Sequence, residues 1–331
     1  MPSEWHNSGE INIKANNMKK FLFAIIALFI AVSAMASVGE KQTHLYAVKG
    51  TDSLYLDHYI SPVAGERPCM VFVFGGGFVR GNRDSETYLP YFKFLNDNGF
   101  DVFSIDYRLG LKSLTTMESS PSIRETIGLL NNAVNIAVED LFSATLFIIE
   151  NAERWQIDTK KIVTSGSSAG AITVLQAENA ICNHTPSAAV LPQGFNYAGV
   201  ISYAGAIFTV NGKPEWKNKP APIMFFHGSA DAQVPYDKAT MLGIGFFGPK
   251  HLTKEFNENK WPYWFYDIEY HTHSIAVLPM LENQREIATF LNDFVIKKRP
   301  LCITTSVSDG EQPKRDTKFK VMDYMKANFG K

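Results

Sequence analysis

Gly166-Ser167-Ser168-Ala169-Gly170 reads G-x-S-x-G, the spacing of a serine held at the tip of a tight turn. Before it, Lys160 to Ser165 is a short apolar run with polar flanks, which predicts a strand. After it, Ala169 to Ala180 holds Ala, Ile, Leu and Gln at helical spacing. A strand, a strained turn and a helix would lift Ser168 clear of its neighbours. Flanking glycines would let strand and helix pass closely without a Cβ between them. Ser167 is excluded as the reactive hydroxyl, because its own flanking positions are Ser165 and Ala169 and not glycine.

A serine hydroxyl is a weak nucleophile near neutral pH and needs a base in hydrogen-bond reach, with an acid to orient that base. On a strand–turn–helix serine the partners follow in the order Ser, Asp/Glu, His, each past a later strand. Ile223 to Phe226 predicts such a strand, and Asp231 falls just past its end in His227-Gly228-Ser229-Ala230-Asp231. Asp237 competes, but comes later, where it is expected to begin a helix. The next strand, Trp264 to Tyr270, runs into His271-Thr272-His273-Ser274. His273 is preferred as base because it lies farther past the strand end; His271 stays open as the alternative base. A His-x-His pair is also a metal-ligand pattern, but no third ligand is placed nearby, so no metal and no cofactor are expected. His227 and the remaining histidines are read as structural.

An attacked carbonyl becomes a tetrahedral oxyanion that needs N–H donors. Phe74-Gly75-Gly76-Gly77-Phe78 follows the strand Met70 to Phe74, and its glycines would leave backbone N–H groups bare. Gly76 and Gly77, with the N–H of Ala169, are the expected oxyanion hole. The alternative, a phosphate loop, lacks the Gly-Lys-Ser/Thr ending.

These groups need a scaffold. Leu45 to Ile60 alternates apolar and polar residues, as a half-buried antiparallel hairpin does. Short, near-continuous apolar runs follow at Met70–Phe74, Val102–Tyr107, Ile162–Ser165, Gly199–Tyr203, Ile223–Phe226 and Trp264–Tyr270, the texture of parallel strands covered on both faces. Helical patterns lie between them at Tyr88–Asn96, Ile136–Ala152, Ala169–Ala180 and Leu281–Phe294. The alternation predicts an α/β fold: a mostly parallel central sheet, helices on both faces and an N-terminal antiparallel hairpin. Gly110 to Asn132 reads as polar chain turning helical, and Asn183 to Asn196 as a loop. The insertion at 233–263 carries Phe246, Phe247, Trp261 and Tyr263, which would either line a substrate cleft or pack the insertion onto the body.

The 331 residues carry a formal charge of −1 and no basic stripe, which removes the electrostatic case for a nucleic-acid partner. Met18-Lys19-Lys20, the apolar Phe21 to Val32 and Ala34-Met35-Ala36 together read as a signal peptide over 18–36. Residues 1–17 are expected to be a non-native upstream extension. The chain from Ser37 would be exported to the periplasm or beyond, with no stable membrane span after cleavage. A catalytic domain is expected over 37–300 and a polar C-terminal tail over 301–331. Cys69, Cys182 and Cys302 match no zinc or redox spacing.

Together these residues resemble the α/β-hydrolase fold, in its carboxylesterase/lipase branch with a GGG oxyanion motif, and are similar to bacterial feruloyl- and acetyl-esterase-type enzymes. Besides the serine turn, the matching pieces are Leu54-Tyr55-Leu56-Asp57, Gly75-Gly76-Gly77-Phe78 with Gly81, Asp106-Tyr107-Arg108-Leu109, Glu139-Asp140, Trp155-Gln156-Ile157-Asp158, and His227-Gly228 with Asp231. The likeness runs from about Leu45 to Ile296. It implies a serine esterase with the triad Ser168, Asp231 and His273, acting on small-molecule or polysaccharide-linked esters, with Asp106, Arg108 and Asp140 as scaffold. Phe74 stands where the family usually has a histidine, and Asp231 and His273 are farther apart than usual, the aromatic insertion lying between them. A prolyl-oligopeptidase-type peptidase shares the fold and triad, although the exported chain leaves no room for its propeller. A binding module without turnover is the third reading.

Overall fold

The computed structural model describes residues 38–117 and 121–319. The expected signal segment at 18–36 and the stretch at 1–17 lie outside the described residues, as does the tail beyond 319.

The chain opens with the antiparallel hairpin β1 (Lys41–Lys49) and β2 (Asp52–Tyr59), turned at Gly50, whose φ of 65° suits glycine. Then come β3 (Arg67–Val73), α1 (Leu89–Asp97), β4 (Asp101–Ile105), α2 (Ile123–Glu150), β5 (Ile157–Ser167), α3 (Ala169–Cys182) and β6 (Gly199–Tyr203). After β7 (Ile207–Thr209) and β8 (Ile223–Gly228) the insertion forms β9 (Lys238–Met241), β10 (Ile244–Phe247) and α4 (Pro249–Glu258). The chain finishes with β11 (Tyr263–Ile268), α5 (Leu278–Glu282), α6 (Gln284–Phe290) and β12 (Cys302–Val307).

Nine strands form one sheet in the order β1-β2-β4-β3-β5-β6-β8-β11-β12. From β4 to β12 every neighbouring pair is parallel; only β1–β2 and β2–β4 are antiparallel. Helices cover both faces, so β6 and β8 are buried along their whole length. Each Val, Ile or Phe they remove from water is worth about 1.5–3 kcal/mol. This is the α/β architecture that the strand–helix alternation predicts.

Several elements differ from expectation. The helix expected from Ile136 begins at Ile123, where Ser122 and Glu125 form a reciprocal capping box. That helix, α2, is long and apolar enough to cross a membrane by length and composition, yet one face of it, from Thr126 to Ile148, is buried within the body. The helix expected over Leu281–Phe294 is split at Asn283 and ends in a π-helical turn, Leu291–Ile296. Asp237 begins no helix: it leads into β9, and its carbonyl accepts the Gly248 N–H.

The tail expected from 301 first contributes β12, the last strand of the sheet. An edge strand is covered less completely than a central one, so Cys302–Val307 lacks the continuous apolar run used to find the others. The insertion's β9 and β10 join β7 in a second sheet, β7-β10-β9. Its aromatics take the packing alternative: Phe246 lies 4.9 Å from Phe208 and Trp261 5.5 Å from Phe256, centroid to centroid. Phe247 sits 5.0 Å from His251, and Tyr263 belongs to β11.

Candidate active site

Parallel strands end on the same edge, and the order β3-β5-β6-β8-β11 gathers there the loops that follow β3, β5, β8 and β11. Register makes the placement specific. Val73 pairs with Gly166, which sets the glycine loop beside the serine turn, and Gly228 pairs with Ile268, which sets the aspartate loop beside the histidine loop.

The serine turn requires its glycines. A Cβ on Gly170 would stand 2.0 Å from the Val73 carbonyl oxygen, and one on Gly166 would stand 2.3 Å from the Gly170 carbonyl carbon. Ser168 has φ 52° and ψ −113°, a conformation that L residues rarely adopt and that costs about 1–3 kcal/mol. It is held there by its own N–H, which donates to Tyr203 O at 2.9 Å, and by its carbonyl, which accepts from Ile172 N.

His273 Nε2 lies 2.7 Å from Ser168 Oγ, and His273 Nδ1 lies 2.7 Å from Asp231 Oδ2. The other carboxylate oxygen, Oδ1, accepts the backbone N–H groups of Gln233 at 2.8 Å and Val234 at 3.0 Å. The Asp231 side chain is sealed from solvent, whereas that of His273 is 14% exposed, so the array is buried at its acid end and open at the serine. Burial alone would push the Asp231 carboxyl up; hydrogen bonds from His227 and His273 outweigh it and hold the group well below the usual carboxylate range. The carboxylate oxygens can only accept, so His273 presents Nδ1–H to Asp231 and an Nε2 lone pair to Ser168.

Of the two competing histidines, the structure brings His273 to the serine. His271 contributes its backbone: its carbonyl accepts from Ala230 N at 3.0 Å and passes so close to Gly228 that a Cβ there would stand 2.3 Å from it. Asp231 and not Asp237 meets the histidine.

The glycine loop abuts the turn, since a Cβ on Gly75 would lie 3.0 Å from Ser167 O and 3.3 Å from Ser168 Cβ. Gly76 (φ 128°) and Gly77 (φ 66°) hold conformations open to glycine, and the Gly76 carbonyl accepts from Val79 and Arg80. Among the described residues no protein acceptor is found for the N–H groups of Gly76, Gly77 or Ala169, and Ala169 N opens helix α3. Phe74, where a histidine would hydrogen-bond, packs: its ring lies 4.5 Å from that of Tyr107 and against Gly81, while Tyr107 Oη donates to the Phe74 carbonyl at 3.0 Å. Arg108 forks onto Asp140 at 2.8–3.0 Å, and Arg83 bridges Asp57 and Asp106, so these groups tie the loop after β4 to α2 and to the hairpin.

Two contributors escape a reading by motif. Ser167 Oγ donates to the Ala276 carbonyl at 2.9 Å, anchoring the short 3-10 turn that carries His273 to the serine turn itself. His227, read as structural, approaches Asp231; its place four residues before the acid was the available signal. Among the described residues no group of three or more His, Cys, Asp or Glu is gathered to hold a metal ion. The three cysteines are free thiols.

No family model matches the chain. Esterase B1 of Culex pipiens is 31% identical over 107 residues, which are 32% of this chain and 18% of that protein. Among solved structures, apo esterase 2 of Thermogutta terrifontis superposes with a TM-score of 0.55 at 19% identity, covering 81% of this chain and 97% of that one. The propionate-bound form of the same protein gives 0.54 at 19% identity, with 81% and 96% covered. The strand order, the hairpin and these superpositions together show that the chain has the α/β-hydrolase fold.

Proposed function

We propose that the protein is a serine carboxylic-ester hydrolase. The observation that carries this reading is the unbroken hydrogen-bonded line from Ser168 Oγ through His273 to Asp231, built on a strained turn beside a glycine loop. Ser168 Oγ attacks the ester carbonyl while His273 Nε2 takes its proton. Asp231 holds the imidazole in the Nδ1–H form and stabilises the imidazolium. The N–H groups of Gly76, Gly77 and Ala169 receive the oxyanion. His273 returns the proton to the leaving alcohol, and water, deprotonated by the same nitrogen, then cleaves the acyl-enzyme. The reaction uses no cofactor.

The esterase it superposes on supports the ester class; that protein's structures include propionate- and butyrate-bound forms and one phosphonylated by cyclosarin. Acetyl or feruloyl groups on polysaccharides are the substrates that the sequence resemblance implies. The basic, apolar and A-x-A segments within 18–36 support export of the enzyme.

The test is hydrolysis of p-nitrophenyl acetate, butyrate and methyl ferulate by the wild type and Ser168→Ala, with labelling by a serine-reactive phosphonate. Turnover and labelling that both vanish in Ser168→Ala are expected. Wild-type hydrolysis no faster than that of Ser168→Ala, with no label on Ser168, would overturn the reading.

A further inference from the structure

His227 is the fully buried residue next to the end of β8, and the mechanism above gives it no part. Its Nε2 lies 3.1 Å from the Val234 carbonyl oxygen and 3.4 Å from Asp231 Oδ2, the oxygen that also receives His273. A carbonyl oxygen can only accept, so Nε2 carries the proton. With the proton on Nδ1 instead, the Nε2 lone pair would face two acceptor oxygens inside a dry core. Nδ1 is buried and has no hydrogen-bond partner among the described residues, which agrees with a ring whose proton is committed at Nε2.

We propose that His227 is a positioning residue for the acid: its Nε2–H, shared between the Val234 carbonyl and Asp231 Oδ2, locks the Asp231 carboxylate in the plane and rotamer that face His273. The inference rests on the ester-hydrolase reading above.

The geometry closes a small ring. Val234 N–H is held by Asp231 Oδ1 and Val234 O is held by His227, so the loop from Asp231 to Val234 is pinned at both ends to one carboxylate and one imidazole. Asp231 Oδ1 has two backbone donors; Oδ2 is bonded by His273 Nδ1 at 2.7 Å and has His227 Nε2 3.4 Å away. A carboxylate offers about four lone-pair sites; three are filled here and His227 Nε2 stands beside the fourth, which leaves the group little room to turn about its last torsion. Other titratable groups lie near His227: Tyr236, with its ring 6.1 Å away, and Asp267, its register partner on β11, which is paired with Lys250. Neither replaces the donor to Oδ2.

The experiment compares His227→Leu, which keeps the bulk and removes the donor, with His227→Gln, whose amide can return an N–H to the same place. Rates are expressed per serine labelled by a phosphonate, so loss of folded protein does not count as loss of catalysis. His227→Leu is expected to lower kcat/KM for p-nitrophenyl acetate about tenfold, mostly in kcat, the factor that a hydrogen bond to a charged group supplies at the weak end of its range. The acid limb of its pH profile is expected to move to higher pH, because a carboxylate that has lost a donor holds an imidazolium more tightly. His227→Gln should restore the rate to within about threefold and return the limb. As a second measurement, 15N-histidine NMR of the wild type should show His227 as the Nε2–H tautomer. A His227→Leu rate and pH profile per labelled serine equal to those of the wild type, or an Nδ1–H tautomer, would overturn the proposal. Absence of any Ser168-dependent activity in the wild type would instead strike the ester-hydrolase reading.

Discussion

Replacing Asp231 by asparagine removes a charge while leaving nearly every atom in place, and the structure dictates which way the amide must turn. At one oxygen the carboxylate meets the N–H groups of Gln233 and Val234, at 2.8 and 3.0 Å, so that position must stay an acceptor and takes the amide oxygen. The NH2 is then forced into the place of Oδ2, facing His273 Nδ1 at 2.7 Å. Two donors cannot share that contact. The imidazole therefore gives up its Nδ1 proton and carries it on Nε2, where it points at Ser168 Oγ and can no longer accept. The amide also meets His227 Nε2–H, a second donor that its flipped orientation cannot accommodate. A histidine in the wrong tautomer, with the rest of the site intact, costs about 10⁴ in kcat, or roughly 5 kcal/mol of activation free energy. Loss of the charged contacts removes a further 1–3 kcal/mol or so of folding stability. The assay is p-nitrophenyl acetate hydrolysis by Asp231→Asn beside the wild type and Ser168→Ala, with thermal unfolding followed in parallel. A kcat within tenfold of the wild type, in a folded protein, would refute the tautomer argument and with it the role of Asp231.

His271→Ala should keep activity within about threefold of the wild type in the same hydrolysis assay, because the contacts recorded for His271 are made by its carbonyl and survive the change. Gly170→Ala should lower the thermal unfolding midpoint and expression: its Cβ would stand 2.0 Å from backbone that cannot yield, an overpacking worth at least about 1–3 kcal/mol. Glu178→Gln bears on pH dependence. Burial raises the Glu178 carboxyl, and the donors Ala221 N, Asn196 and Cys182 only partly offset it. A carboxyl raised in the folded state gives its full stability below the unfolded value and loses it as pH rises through the folded one. Unfolding midpoints measured from pH 4 upward should fall less steeply for Glu178→Gln than for the wild type; parallel curves would show that Glu178 stays out of the titration.

Much of the site was legible because its chemistry is encoded locally. The G-x-S-x-G turn singles out Ser168 and no neighbour, since each glycine is required by a backbone approach within a few residues or one strand away. Asp231 is marked by its distance past a strand whose apolar run is unmistakable. The capping box at Ser122 is just as local, and it starts α2 well before Ile136, where the apolar spacing alone places the helix. β12 was hidden for a different reason: an edge strand in Cys302–Val307 carries little of the hydrophobic pattern that burial imposes on central strands.

What the sequence determined by itself was therefore the list of chemically competent residues and the strand–helix alternation that could carry them, because both depend on side-chain type and short spacing. It preferred His273 as base but left His271 open, and it placed His227 among the structural residues. Only the folded chain decided between them. Parallel pairing of β8 with β11, in the register Gly228 to Ile268, directs the backbone of His271 against Gly228 and carries the ring of His273 on to Asp231 and Ser168. The same sheet buries His227 behind the acid. Contacts between residues more than forty or a hundred positions apart depend on strand order and register, which no local pattern records.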